Sequence, residues 1–156
     1  MKSILKTIVF VAMMMSVVAS YGENHTIWHI TDTHVMAPEV CKNPGTAWKL
    51  YNFQEPQLDL YSPKLFQAII DSALTYKPEI IIISGDMTKN GEKASHELVA
   101  AMMKPLVENG IKVYVIPGNH DLHNPTAYLY DGDNVTRAPQ ITEEEFAELY
   151  KDYGYG

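Results

Sequence analysis

Three short apolar runs constrain this sequence more than any other feature, because each breaks at its carboxyl end into side chains that bind metals or move protons. Ile27–Thr31 runs into Asp32-Thr33-His34, and Ile80–Ser84 runs into Gly85-Asp86. Val113–Ile116 passes through Pro117-Gly118 into Asn119-His120-Asp121. Apolar runs of this length read as buried strands. Between them lie two stretches with helical spacing. Leu65, Phe66, Ile69, Ile70, Ala73 and Leu74 follow Ser62-Pro63, and Pro78 stops them. Leu98, Val99, Met102, Met103, Leu106 and Val107 form the inner face of a second helix, about Glu92 to Asn109. Strand–helix–strand–helix–strand predicts an α/β fold with a parallel sheet and right-handed crossovers. Open sheets of that kind keep their ligands at the carboxyl ends of the strands. The three polar clusters should therefore share one edge.

Finer expectations follow from the same residues. The unbroken isoleucine run of 80–83 suits a central strand buried on both faces. Ser62 should cap the first helix, with Pro63 at its first position, and Pro105 should kink the second. Thr142 and Glu145 form a capping box for a last helix carrying Phe146, Leu149 and Tyr150. His29 falls on the opposite strand face from Asp32 and reads as a core or interface histidine. His96 reads as a capping or packing residue. Residues 35–61 form a long irregular stretch with four aromatics, Trp48, Tyr51, Phe53 and Tyr61. It either covers a site at the first strand end or is pinned to the domain by those aromatics. The chain beyond Asp121 turns irregular again.

At 156 residues the chain holds one domain at most. Residues 1–20 have the form of an export signal. Lys2 and Lys6 precede a mostly apolar run from Ile8 to Val18, and small residues follow at Val18-Ala19-Ser20. The expected mature domain is 21–156, periplasmic or secreted, with no stable membrane anchor after cleavage. Removing the signal takes away two lysines, so 10 basic residues face 19 acidic ones, a net charge near −9. That balance argues against wrapping duplex nucleic acid and suits a site that recruits cations. Cys41 is the only cysteine, which rules out an intrachain disulfide.

The polar clusters have a definite chemistry. Asp32 and His34 are two residues apart and can bind one ion. Asp86 adds a carboxylate whose two oxygens can bridge two ions, and Asn119 adds a neutral oxygen. His120 is a titratable group beside them, with Asp121 available to orient it. Mixed Asp, His and Asn ligands suit Mn²⁺, Fe²⁺ or Zn²⁺. Two such ions can hold the entering and leaving oxygens of an in-line displacement at phosphorus. His120 can protonate the leaving alkoxide. Each motif alone arises by chance; all three in order, each closing a strand, point to a phosphoester hydrolase with a small-molecule phosphoester substrate.

Asp32-Thr33-His34, Gly85-Asp86-Met87-Thr88 and Gly118-Asn119-His120-Asp121 match the DxH, GDxT and GNHD blocks of the calcineurin-like metallophosphoesterases, and the sequence resembles that family. Lys89-Asn90-Gly91-Glu92, Ser95-His96-Glu97, Asn124-Pro125 and Tyr153-Gly154-Tyr155 resemble a bacterial branch of it. The resemblance covers residues 26–156 and implies a four-layer α/β/β/α sandwich. It implies that Asp32 and His34 bind a first metal, that Asp86 bridges and that Asn119 binds a second. His120 would contact the phosphate or protonate the leaving group, and Asp121 would support His120. Cyclic-nucleotide and related phosphodiesterases are nearer relatives than purple acid phosphatases or 5′-nucleotidases. The family's remaining ligands, a lone His and a GHxH block, are not among these 156 residues. The sequence thus resembles the N-terminal half of such an enzyme, and the chain alone is expected to bind metal weakly, with low or no turnover. The alternative is a non-catalytic remnant that binds metal or a partner.

Overall fold

The computed structural model describes residues 25–54 and 57–155; the segment read as an export signal lies outside them. Strands β1 (Ile27–Thr31), β3 (Ile80–Ser84) and β4 (Lys112–Ile116) form a parallel sheet in the order β1-β3-β4. The register aligns Thr31, Ser84 and Ile116, so all three strands end at one level. Helices α2 (Ser62–Tyr76) and α3 (Lys93–Glu108) connect them, as the apolar spacing predicts. Phe66, Ile70 and Ala73 of α2, with Val99, Met103 and Leu106 of α3, bury against Ile81, Ile83, Val113 and Val115. Each such Ile, Leu or Phe contributes about 1.5–3 kcal/mol by leaving water.

Helix ends follow local chemistry. Lys77 closes α2 in the left-handed conformation, and Pro78 then prevents continuation. Thr142 and Glu145 form the full capping box at the start of α4 (Glu143–Leu149). Ser62 does not cap α2, because it already lies inside the first turn. Its hydroxyl donates to the Asp59 carbonyl at 2.7 Å and accepts from the Met36 amide at 2.9 Å, which ties two loop segments to the helix.

Both stretches expected to be irregular carry structure. Residues 35–61 hold a short strand, β2 (Cys41–Pro44), a helix, α1 (Thr46–Gln54), and two 3-10 turns. Beyond Asp121 comes a hairpin, β5 (Tyr128–Gly132) and β6 (Asn134–Arg137). β5 pairs parallel to β2 and antiparallel to β6, which makes a second, mixed sheet. These elements escape sequence reading because β2 has three exposed residues out of four and β6 is exposed throughout. Neither has an apolar period to detect. Trp48 and Tyr51 pack on Tyr130 with ring centroids 5.2 and 5.8 Å away. Those aromatics pin α1 to the hairpin. Cys41 opens β2 as a buried free thiol. Among the described residues, no helix is long and apolar enough to cross a membrane.

Candidate metal centre

The loops leaving the three strands stay zipped together past the sheet. The Asp32 amide donates to the Gly85 carbonyl at 3.3 Å, His34 to Asp86 at 2.9 Å, Val35 to Met87 at 2.8 Å, and Gly85 to Ile116 at 2.8 Å. Within this zip Asp32, His34 and Asp86 adopt positive φ of 54°, 41° and 47°. Left-handed backbone at a non-glycine residue costs on the order of 1–3 kcal/mol and clusters at functional sites. The loop hydrogen bonds offset that cost. The turns aim all three side chains at one point, and their ligand atoms lie within 4.8 Å of one another. The two-residue spacing of Asp32 and His34 therefore works through left-handed turns rather than through strand alternation.

The donor set fits a divalent cation. Two carboxylates and an imidazole converge, and the Nδ1 of His34 is buried with no hydrogen-bond partner. A buried ring nitrogen without a partner costs free energy that a cation would recover. Burial first, and the neighbouring His120 second, hold the His34 pKa below its usual value. A neutral imidazole is the form that binds metal.

The third strand end closes on the other two at Gly118, where any side chain would sit 2.2 Å from Asp86 Oδ1. Asp86 Oδ1 also accepts the His120 amide at 2.9 Å. Asn119 stands exposed on the loop that Asp86 grips. The His120 ring meets His34 edge-on, with centroids 4.9 Å apart. Its Nδ1 faces the Lys89 carbonyl at 2.8 Å and Asn90 Oδ1 at 3.0 Å.

Asp121 departs from the role the resemblance implied, because its carboxylate does not orient His120. It is fully buried and accepts from the amides of Met87, Thr88 and Gly118 and from the Thr88 hydroxyl, at 2.8–3.1 Å. It fastens the second strand-end loop to the third. His123 is exposed and pairs with Glu143 at 2.5 Å, and His29 is exposed and bonds Ser84 at 2.6 Å. His96 is a packing residue, bonded to the Asp121 carbonyl at 2.8 Å and the Tyr150 hydroxyl at 3.0 Å.

A cavity of about 280 Å³ opens beside Asp32, Thr33 and His34, walled by Gln57, Leu58, Asp59, Ser62 and Leu65. The 35–61 segment does part of both things expected of it: Trp48 and Tyr51 anchor it while Phe53 and Tyr61 stay exposed, and its last residues line the cavity. Behind the wall the buried Lys89 bonds Gln57 at 2.8 Å and lies 3.5 Å from Asp59. The sequence marks no role for Asn90, Lys89 or Leu58. For the first two, the Lys89–Glu92 match is the signal that the sequence offers.

A mixed α/β fold whose parallel strands deliver Asp, His, Asp and a flanking His to one edge is that of a metallophosphoesterase. Residues 25–154 match the family model for calcineurin-like phosphoesterases, and the chain belongs to that family. It is 31% identical over 130 residues to the DNA double-strand break repair protein Mre11 of Methanocaldococcus jannaschii, covering 78% of this chain and 32% of that protein. It is 30% identical over 105 residues to Mre11 of Saccharolobus solfataricus, covering 66% and 24%. Over 93 residues it is 32% identical to the probable glycerophosphodiester phosphodiesterase GpdQ of Arcobacter nitrofigilis, covering 59% and 28%. The chain thus spans less than a third of each of these relatives.

Proposed function

We propose that the protein is an exported, metal-dependent phosphodiesterase acting on small phosphodiesters. The observation that carries this reading is the convergence of Asp32, His34 and Asp86 in left-handed turns at one strand edge, with His120 packed against them. Asp32, His34, Asp86 and Asn119 would hold two divalent ions, Mn²⁺, Fe²⁺ or Zn²⁺. When bound, the ions supply Lewis acidity and an activated water. This chain's residues do the rest. Asp86 holds the His120 backbone, so acid and ligand share one rigid frame. The outward nitrogen of His120 donates a proton to the leaving alkoxide. Leu58 and Leu65 add the apolar part of the neighbouring cavity's otherwise polar lining.

The relative named as a probable glycerophosphodiester phosphodiesterase supports a small phosphodiester substrate. The Mre11 matches favour a second reading, a nuclease. The mature net charge near −9 favours the small substrate. The test is hydrolysis of bis-p-nitrophenyl phosphate by the full-length protein, with Mn²⁺, with chelator, and with Asp86→Asn. Metal-dependent turnover lost in the variant supports the proposal. Preferential cleavage of a DNA oligonucleotide moves it to the nuclease. Metal binding by calorimetry without turnover on either substrate leaves the non-catalytic remnant.

A further inference from the structure

We infer that Asn90 is a positioning residue, which sets the tautomer of His120 and turns its Nε2 towards the substrate. This rests on the reading of His120 as the proton donor. The inference follows from which atoms can donate. Thr126 supplies both a backbone amide and a hydroxyl to Asn124 Oδ1, at 2.8 and 2.6 Å. That fixes the orientation of Asn124, so its Nδ2 is the atom facing Asn90 Oδ1 at 3.2 Å. The Nδ2 of Asn90 in turn donates to the Thr126 carbonyl at 3.3 Å and to the Tyr51 hydroxyl at 3.2 Å. A carbonyl only accepts, so Asn90 cannot be flipped. Its Oδ1 therefore faces the His120 ring as an acceptor, 3.0 Å from Nδ1. The second neighbour of that nitrogen, the Lys89 carbonyl at 2.8 Å, is an acceptor too.

The Asn124 Nδ2 donor also faces that nitrogen, but at 3.5 Å it is farther than the two acceptors at 2.8 and 3.0 Å, so Nδ1 carries the hydrogen. Nε2 is then the nitrogen free to receive a proton and pass it to a leaving oxygen. The burial of Asn90, 3% exposed, and of Asn124, 7% exposed, keeps water from competing for the ring. Gly91 makes the approach possible, because a side chain there would come within 2.7 Å of the Asp121 carbonyl. The Lys89–Gly91 turn thus places both acceptors where the carboxylate of Asp121 does not reach.

Two experiments on the full-length protein test this. The first is ¹⁵N NMR of the histidine rings at alkaline pH, with His120 assigned by its loss in His120→Ala. A proton on Nδ1, shifting towards a tautomer mixture in Asn90→Ala, supports the inference; a proton on Nε2 overturns it, whatever the enzyme does. The second is kinetic. Proton donation is worth roughly 10²–10⁴-fold, and Asn90→Ala removes one of two orienting contacts. It should lower kcat about tenfold for an alkyl diester, which needs the proton, and about twofold or less for p-nitrophenyl esters, with KM unchanged. Asn90→Asp keeps the acceptor on His120 but loses the donor to the Thr126 carbonyl, so it should recover only part of the loss. In a His120→Ala background Asn90→Ala should cost nothing further. An equal loss there would show that Asn90 acts on the fold and not through His120. Absence of turnover in the parent enzyme would overturn the phosphodiesterase reading, and the NMR result would still decide the tautomer.

Discussion

The two faces of the parallel sheet are made of similar residues and have different fates. On the helix side Ile81, Ile83, Val113 and Val115 are sealed under α2 and α3. On the other side Ile80 and Ile82 are half-buried, while Ile27, Tyr114 and Ile116 are 55%, 45% and 54% exposed. The sequence reading of β3 as a strand buried on both faces fails on this second side: burial alternates along it. Parallel sheets normally bury both faces. An apolar stripe therefore records what a strand is suited to, not what the described residues place over it. The candidate metal centre sits at the end of the sheet where the two faces meet. It is held by loop-to-loop bonds, so its geometry does not depend on a cover over the open face.

Mutations on opposite faces sharpen this contrast. Ile81→Ala, on the sealed face, should destabilise the chain by about 2–5 kcal/mol in urea unfolding. Ile82→Ala, one residue on, should cost about 1 kcal/mol or less, since much of the residue already meets water. Equal losses would mean that the open face is covered in solution.

The helix side should also respond to acid. Burial, opposed by the hydrogen bond and charge of Asp121, holds His96 below its usual pKa, and Tyr150 is its other titratable neighbour. The unfolded chain then binds more protons than the folded one. Stability is full above about pH 6.5 and falls as pH drops towards the lowered value, by up to about 1.4 kcal/mol per unit. His34 acts in the same direction, so His96→Gln should remove only part of the slope measured between pH 7.5 and 5. An unchanged slope would take His96 out of this account.

Thr142→Ala, which loses the cap of α4, should cost about 1 kcal/mol in the same unfolding assay. The smallest effect belongs to the open face again. His29→Ala removes an exposed bond to Ser84 and should leave the melting temperature within about 1 °C. A larger drop would place His29 under a cover.

The sequence by itself determined the βαβαβ core, the edge at which Asp32, His34, Asp86 and His120 gather, and the capping box at Thr142. Each of these is written locally, in an apolar period or in a polar residue directly following a strand. Tertiary structure decided which partner each polar group at the site takes. The carboxylate of Asp121 lies beside His120 in the chain, yet Met87 and Thr88 capture it, because the second loop presents unpaired amides at the right height. Asn90 reaches His120 for the same reason, from thirty residues upstream. The hairpin of 128–137 exists because Tyr130 finds Trp48 and Tyr51, not because its strands are apolar. Local pattern fixes which segments become strands and helices. Which hydrogen-bond partner wins at the site is settled by the unpaired donors and acceptors that packing brings within 3 Å.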